Sequence, residues 1–462
     1  LTPFGSCDFF SDDRPIATTS VPAISSILTV ARPIPDVPPN TIAFLLIKSI
    51  WNILISYYQF SYVRAFSKSF QAVSNALKSK PFLRAGSNTN LSVCCIFRIE
   101  ASKSTITSVG TTTAPCRSAC TKSPSLKTFK KIYRMSNYQK EKRIVLDYYE
   151  ALDSSTDSRI TQVLENFTTK NYIWRAFHPF GLQTDVNEIS EQCWKPLKHA
   201  LTSMQRRIDI FFAGSNYIDD NSSVWVCSMG HLIGLFDFPW LGIKPTKKLT
   251  MLRYAEFHKI ENGKISETAF YFDIPHLMLQ AGYSPFPDQR AAHLIQPGPA
   301  PHDALLFSDA DFTEGKKTMN AINFMIKDLG QWQSGLPLVD ELARSWHNDM
   351  IWWGPAGIGS TYTIERYAEQ HSGPFRAAFS DRSGTGHIAR ISEGHYGGFF
   401  GWPNFSAKPT GGYLGLPPSD TIGEFRVIDI YRREGDKLKE NWIFIDLLHF
   451  FKQQGVDILN KL

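Results

Sequence analysis

The chain has 462 residues, 43% hydrophobic and 13% aromatic, which is enough to build cores for two or three domains. Its formal charge of +6 is unevenly spread: residues 1–134 hold 16 Lys and Arg against 5 Asp and Glu, and the rest holds 33 against 38. The larger part therefore lacks the basic excess that a nucleic-acid-binding surface requires.

Residues 1–134 are rich in Ser, Thr and Pro and show no sustained helical or alternating period. Five of the seven cysteines (Cys7, Cys94, Cys95, Cys116, Cys120) lie there. Its one long apolar run, Thr41 to Tyr58, contains Lys48 and Asn52 and at 18 residues is marginal as a membrane span. Two readings stay open: a membrane anchor or basic transit peptide, and an unstructured or non-native leader. The second is expected, with Met135 as the working start. Cys193 and Cys227 follow without metal-ligand spacing, so the remainder is expected to be reduced, cytoplasmic protein with no membrane contact.

From Met135 the pattern turns globular. Ile144, Val145, Tyr148, Tyr149 and Leu152 recur at helical spacing, and Arg159 to Phe167 continues helically. Tyr172, Trp174 and Phe177 lead into the turn-forming His178-Pro179-Phe180-Gly181. Ile189 to Leu201 reads as a helix interrupted at Pro196. Strands then follow over Ile208–Phe212, Val224–Met229, Met251–Ile260 and Lys264–Asp273, the last two joined by the hairpin signal Asn262-Gly263. Alternation puts Ile265, Glu267, Ala269, Tyr271 and Asp273 on one face and Ser266, Thr268, Phe270 and Phe272 on the other. A short helix, Pro275 to Gln280, ends at Gly282.

A Pro-rich stretch then precedes a second run of the same order. Helices are expected over Thr313–Leu329, Leu338–Trp346 and Ile364–Gln370, and the last hairpin turns at Gly435-Asp436. Gly230-His231-x-x-Gly234-x-Phe236 and Lys244-Pro245-Thr246 return ungapped as Gly394-His395-x-x-Gly398-x-Phe400 and Lys408-Pro409-Thr410. Lys264, Glu267, Asp273, Gln280 and Gly282 likewise return as Lys437, Glu440, Asp446, Gln453 and Gly455. The expected division is a leader over 1–134, one α+β domain over 135–287, a linker over 288–302 and a second copy over 303–462, the two packed as an internal pseudo-dimer that could self-associate further.

Helices followed by a curved antiparallel sheet resemble the cone fold of the nuclear-transport-factor-2-like superfamily. The Gly-His-x-x-Gly-x-Phe and Lys-Ile-x-Glu…Asp…Gln-x-Gly signatures are similar to those of SnoaL-like polyketide cyclases within it. The resemblance implies a hydrophobic, polyketide-like carbonyl substrate cyclised, cleaved or isomerised without metal or cofactor. It makes Asp273 and Asp446 the candidate general bases, assisted by His231, His258 and His395. His178, Arg253, Trp174, Trp353, Arg426 and Trp442 are the candidate substrate contacts. The superfamily also contains members with no catalysis, so a small-molecule binding or interaction module is the alternative.

The residues themselves leave further choices open. Asp273 and Asp446 can be bases in an apolar pocket or caps of the helices after them. His231 and His395, expected at a strand end before a glycine-rich bend, can assist chemistry or bond a backbone carbonyl. Arg253 and Arg426 can bind substrate or form ion pairs with Glu267 and Glu440 across each hairpin.

Overall fold

The computed structural model describes residues 137–330 and 335–461, so the expectations for residues 1–134 lie outside the described residues. The amphipathic stripe read after Met135 forms α1 (Gln139–Ser154), which buries Val145, Tyr148, Tyr149 and Leu152. It is followed by α2 (Ile160–Phe167), β1 (Thr168–Ala176), β2 (Gly181–Gln183) and α3 (Val186–Ile189). A π-helical segment, Ser190–Trp194, leads directly into α4 (Lys195–Ala200). Pro196 stands at the start of α4, and the wider turn before it absorbs the missing N–H. Four strands then run as a meander: β3 (Leu201–Ser215), β4 (Val224–Phe236), β5 (Leu249–Glu261) and β6 (Lys264–Phe272). Asn262 and Gly263 both adopt positive φ in the tight turn between β5 and β6. The short helix α5 (Ile274–Gln280) ends the run.

The second half repeats this order. Helix α6 (Phe312–Gly330) and α7 (Leu338–Leu342) precede β7 (Trp346–Trp353) and β8 (Thr361–Tyr362). Helix α8 (Ile364–Tyr367), a π-helical segment Ala368–Ser372 and α9 (Gly373–Ala378) match the broken helix of the first half. β9 (Ser380–Gly384) and β10 (Ala389–Glu393) together take the place of β3. They are followed by β11 (Tyr396–Lys408), β12 (Gly423–Glu434), β13 (Lys437–Ile445) and α10 (Leu447–Gln453).

Two sheets result, ordered β2-β1-β6-β5-β4-β3 and β8-β7-β13-β12-β11-β10, with β9 also on β11. Each is one half of a tandem α+β pair of cones, with helices packed into the concave face of a curved sheet. The sheets are mixed rather than wholly antiparallel, because β1 runs parallel to β6 and β7 parallel to β13. A strand that enters the sheet from the helices and returns beside the last strand of the meander has that direction imposed on it.

The outer faces of the two sheets pack against each other. Phe212, Trp225, Phe257 and Tyr271 of the first meet Tyr396, Phe400, Ile428 and Phe444 of the second in one apolar cluster. Two charges cross this junction as well. Lys142 on α1 donates to Glu393 on β10 at 2.7 Å, and Glu393 accepts the Ala213 N–H at 2.9 Å. Both side chains are buried, so each neutralises the other where neither could stand alone. Among the described residues no helix is long and apolar enough to cross a membrane.

Strand register corrects part of the repeat. His231 pairs with Arg253 in mid-strand, and Gly230 with Tyr254. In the second sheet Gly401 pairs with Val427, which stands where Tyr254 stands because the β5–β6 and β12–β13 hairpins match position by position. The structural counterpart of His231 is therefore Trp402, seven residues beyond His395. His395 lies in the two-residue turn between β10 and β11, whereas β3 and β4 continue further and close with a long loop. The second block of matches, from Lys264/Lys437 through Asp273/Asp446, does hold its register.

Candidate functional site

Which face of β6 and β13 lines the cone decides the chemistry. Phe270 and Phe272 face the helices, and Ala269 and Tyr271 face the other sheet. Asp273, one residue beyond β6, accepts the N–H of His276 at 3.1 Å as the cap of α5. Its other oxygen accepts the N–H of Ala356, from the second half, at 3.1 Å. Asp446 does the same in reverse, accepting from His449 at 3.1 Å and from His178 of the first half at 2.9 Å. Both aspartates are thus helix caps that also tie one cone to the other, and neither points into a concave interior. Burial pushes Asp446 up to about 7, against the lowering effect of these N–H groups and of Arg426.

The remaining expected residues scatter in the same way. His231 is buried on the outer face, with Nδ1 3.1 Å from Asp209. His395 is half exposed in its turn, 3.9 Å from Glu314. Arg253 donates to the carbonyl oxygens of Ile443 and Trp353 and lies 3.8 Å from Asp273, not against Glu267. Glu267 pairs with Arg175 and Lys259, and Glu440 with Arg432. Trp442 donates to the Pro297 carbonyl, and Trp353 belongs to the cluster between the sheets. His178 and Arg426 do come together, in a cleft at the junction. Only His258 and Trp174 of the expected set face the inside of a cone.

Inside the first cone His258 belongs to a closed network. Its Nε2 lies 2.9 Å from the Tyr149 hydroxyl and its Nδ1 2.9 Å from Thr268. Beside it Arg206 donates to Glu256 at 2.9 Å and to Asp153 at 3.1 Å, with its guanidinium 4.0 Å from the centre of the Tyr149 ring. Burial acts to raise Glu256, but Arg206, His258 and Tyr149 together hold it below its ordinary value. Tyr254, Phe270, Phe272 and Trp194 fill the space around this network, with Trp194 stacked on Phe270.

The second cone has the same frame and a different filling. Register puts Asp429 where Glu256 stands, Tyr431 for His258 and Asn441 for Thr268. It also puts Val427 for Tyr254, Ile443 for Phe270 and Ile445 for Phe272, and the matching π-helical segments put Ser372 for Trp194. Four large aromatic side chains are replaced by smaller ones. The same matching puts Trp346 for Thr168, Tyr367 for Ile189 and His371 for Cys193, so bulk moves from the last strands to β7 and the broken helix. Ile443, Ile445 and Asp429 keep 9%, 8% and 7% of their surface accessible, against 0%, 1% and 1% for Phe270, Phe272 and Glu256. Both interiors are buried, and the second keeps slightly more accessible surface at these positions.

Asp429 accepts a hydrogen bond from Asn441 Nδ2 at 3.0 Å, and among the described residues no cation lies within ion-pairing distance of it. Burial pushes it up to about 7, with Asn441 and Tyr431 lowering it less. Around it stand Tyr431, Trp346 and Phe399, and beyond them Tyr367, Trp352 and His371. Burial takes His371 down to about 3, so it is neutral there. A carboxyl group that changes charge near neutrality, held by an amide and surrounded by aromatic walls, can take a proton from a weak carbon acid. The sequence signal for it was available: Asp429 matches Glu256 in register, three residues after the paired arginines.

No family model matches the chain, and no curated protein matches it. Among solved structures it is similar to a protein assigned as a SnoaL-like polyketide cyclase from Jannaschia sp. CCS1, at 14% identity over 32% of this chain and 92% of that one, with a TM-score of 0.25. It is similar to a protein assigned as a polyketide cyclase from Xanthomonas campestris pv. campestris, at 15% identity over 32% and 99%, TM-score 0.25. It is also similar to an NTF2-like protein from Burkholderia thailandensis E264, at 19% identity over 31% and 96%, TM-score 0.23. Each of these covers about a third of the chain.

Proposed function

We propose that the second cone carries out cofactor-independent acid–base chemistry on a hydrophobic carbonyl compound, with Asp429 as the general base. The observation that carries this reading is the pairing of Asp429, poised near neutrality, with smaller side chains at Val427, Ile443 and Ile445 that leave a little more of its wall accessible than in the first cone. The carboxylate would take a proton from the carbon next to a carbonyl group. The electrons of that C–H bond pass into the carbonyl, giving an enolate whose oxygen accepts a hydrogen bond from a tyrosine such as Tyr431 or Tyr367. Attack of the enolate carbon on a second carbonyl would close a ring, and the new alkoxide would recover the proton from Asp429. Elimination or reprotonation elsewhere would give the lyase or isomerase outcome from the same first step. This keeps the chemistry that the family resemblance implies and moves it from Asp273 and Asp446 to Asp429, which faces the interior.

The test is turnover of aromatic and polyketide-like β-diketones by the parent and by Asp429→Asn. The variant keeps shape and the acceptor for Asn441, so binding should persist while turnover falls by about 10²-fold or more. Unchanged turnover would remove Asp429 as the base. Binding without turnover in the parent would leave the small-molecule binding module as the reading.

A further inference from the structure

The two junctions between the cones use equivalent residues but are closed differently. At the first, Arg253, Asp273 and His276 meet the loop after β7, and the segment that joins the two halves lies over them. Ala292 and Ser360 exchange two backbone hydrogen bonds, Gln289 accepts the N–H of Gly357, and the His293 ring stands edge-on to His276. The fit is close enough that a Cβ at Gly359 would come within 2.7 Å of the Ala291 carbonyl oxygen. At the second junction the equivalents are Arg426, Asp446 and His449, facing the loop after β1. Gly181 stands where Gly359 stands and has nothing within 4 Å of its Cβ position. A cleft of about 420 Å³ remains there, lined by His178, Gly181, Arg426, His449, Lys452 and Gln453 among others.

The two arginines differ accordingly. Arg253 spends its guanidinium on two carbonyl oxygens. The Arg426 guanidinium makes no hydrogen bond among the described residues: it stacks on Trp402 at 3.8 Å and lies 3.9 Å from Asp446, and its buried Nε, like that of Arg253, has no partner. An extended peptide like the one over the first junction would not fit the second. Pro179 stands in place of Gly357, without the N–H that Gln289 uses and with a ring where Phe286 packs.

We propose that this cleft binds the carboxylate or phosphate group of a small ligand, with the Arg426 guanidinium as its principal donor and His178 and Lys452 at its rim. A planar fork of N–H groups stacked on an indole is pre-organised for an oxyanion. Three acids also face the cleft region. Asp457 lies 3.3 Å from Lys452 and Glu424 3.9 Å from His449, while Asp446 sits behind Arg426 and already accepts two backbone N–H groups. None of the three carboxylates forms a hydrogen bond to the Arg426 guanidinium, the Asp446 carboxylate lying 3.9 Å from it. The site is separate from the interior of the second cone, so it stands whether or not Asp429 is a base.

Calorimetric titration of the full chain with inorganic phosphate and, separately, with benzoate at constant ionic strength tests it, with chloride as the reference. Saturable binding of either anion, absent with chloride, is expected; phosphate alone would mark a phosphate ligand and benzoate alone a carboxylate ligand. Arg426→Gln should weaken that binding by at least about tenfold and Lys452→Gln by a few-fold. If Arg426→Gln does not fold, Lys452→Glu at the exposed rim decides: weaker binding supports the site, unchanged binding overturns it. Equal response to chloride, or binding that survives both neutralising variants, also overturns it.

Discussion

The two cones share strand order, hairpin register and even a π-helical break before the same strand, yet their interiors have opposite characters. The first is closed around an ion-paired network of Arg206, Glu256 and Asp153, packed by Trp194, Tyr254, Phe270 and Phe272. The second replaces those aromatics with Ser372, Val427, Ile443 and Ile445, and among the described residues no cation pairs with its buried acid. An acid matched to a buried arginine is committed to the charged state and holds structure together. An acid with only an amide and a hydroxyl beside it stays able to change state. On the proposed function, a few substitutions at equivalent positions assign support to one half of the duplicated fold and chemistry to the other.

The largest effect that would break this contrast is on stability. Arg206→Met should cost about 3–5 kcal/mol in chemical denaturation, because it strands Glu256 in a sealed interior. A loss below about 1 kcal/mol would mean the first cone is not the structural half. Next in size are the caps that cross the junction. Asp273→Ala removes the acceptor of both His276 and Ala356 and should cost about 1–3 kcal/mol, with no change in the affinity of the second cone for its ligand.

The pH dependence of stability gives a smaller and sharper test. Asp429 has a folded value of about 7, above the usual unfolded value near 4, so its contribution is fully present below about pH 4 and lost as pH rises through 7. Asp446 acts in the same sense. Asp429→Asn should therefore equal the parent near pH 4 and exceed it by on the order of 1–3 kcal/mol at pH 8. Equal stability of the two proteins at both pH values would show that Asp429 ionises normally.

Much of the fold was legible because period and turn chemistry are local. The stripe from Ile144 to Leu152, the Asn262-Gly263 turn and the alternation along Lys264–Asp273 each became the expected element. The site was less legible because alternation separates two faces without saying which one is concave. Asp273 and Asp446 fell on the face that meets the other sheet, and only the assembled structure decides that. The Gly-His repeat misled for a different reason. Glycine serves a close approach at Gly230, where a Cβ would lie 1.9 Å from the Arg207 carbonyl oxygen, and a positive-φ turn at Gly394. The same letters marked two positions seven residues apart in the sheet.

Filling the second cone tests the central claim most directly. Ile443→Phe with Ile445→Phe restores the side chains that close the first cone, and binding of a hydrophobic aromatic ketone can be followed by quenching of Trp346 and Trp352 fluorescence. The account predicts that this double variant folds and loses ligand affinity by about tenfold or more, while Phe270→Ile in the first cone leaves affinity unchanged. Undiminished binding in the folded double variant would contradict it.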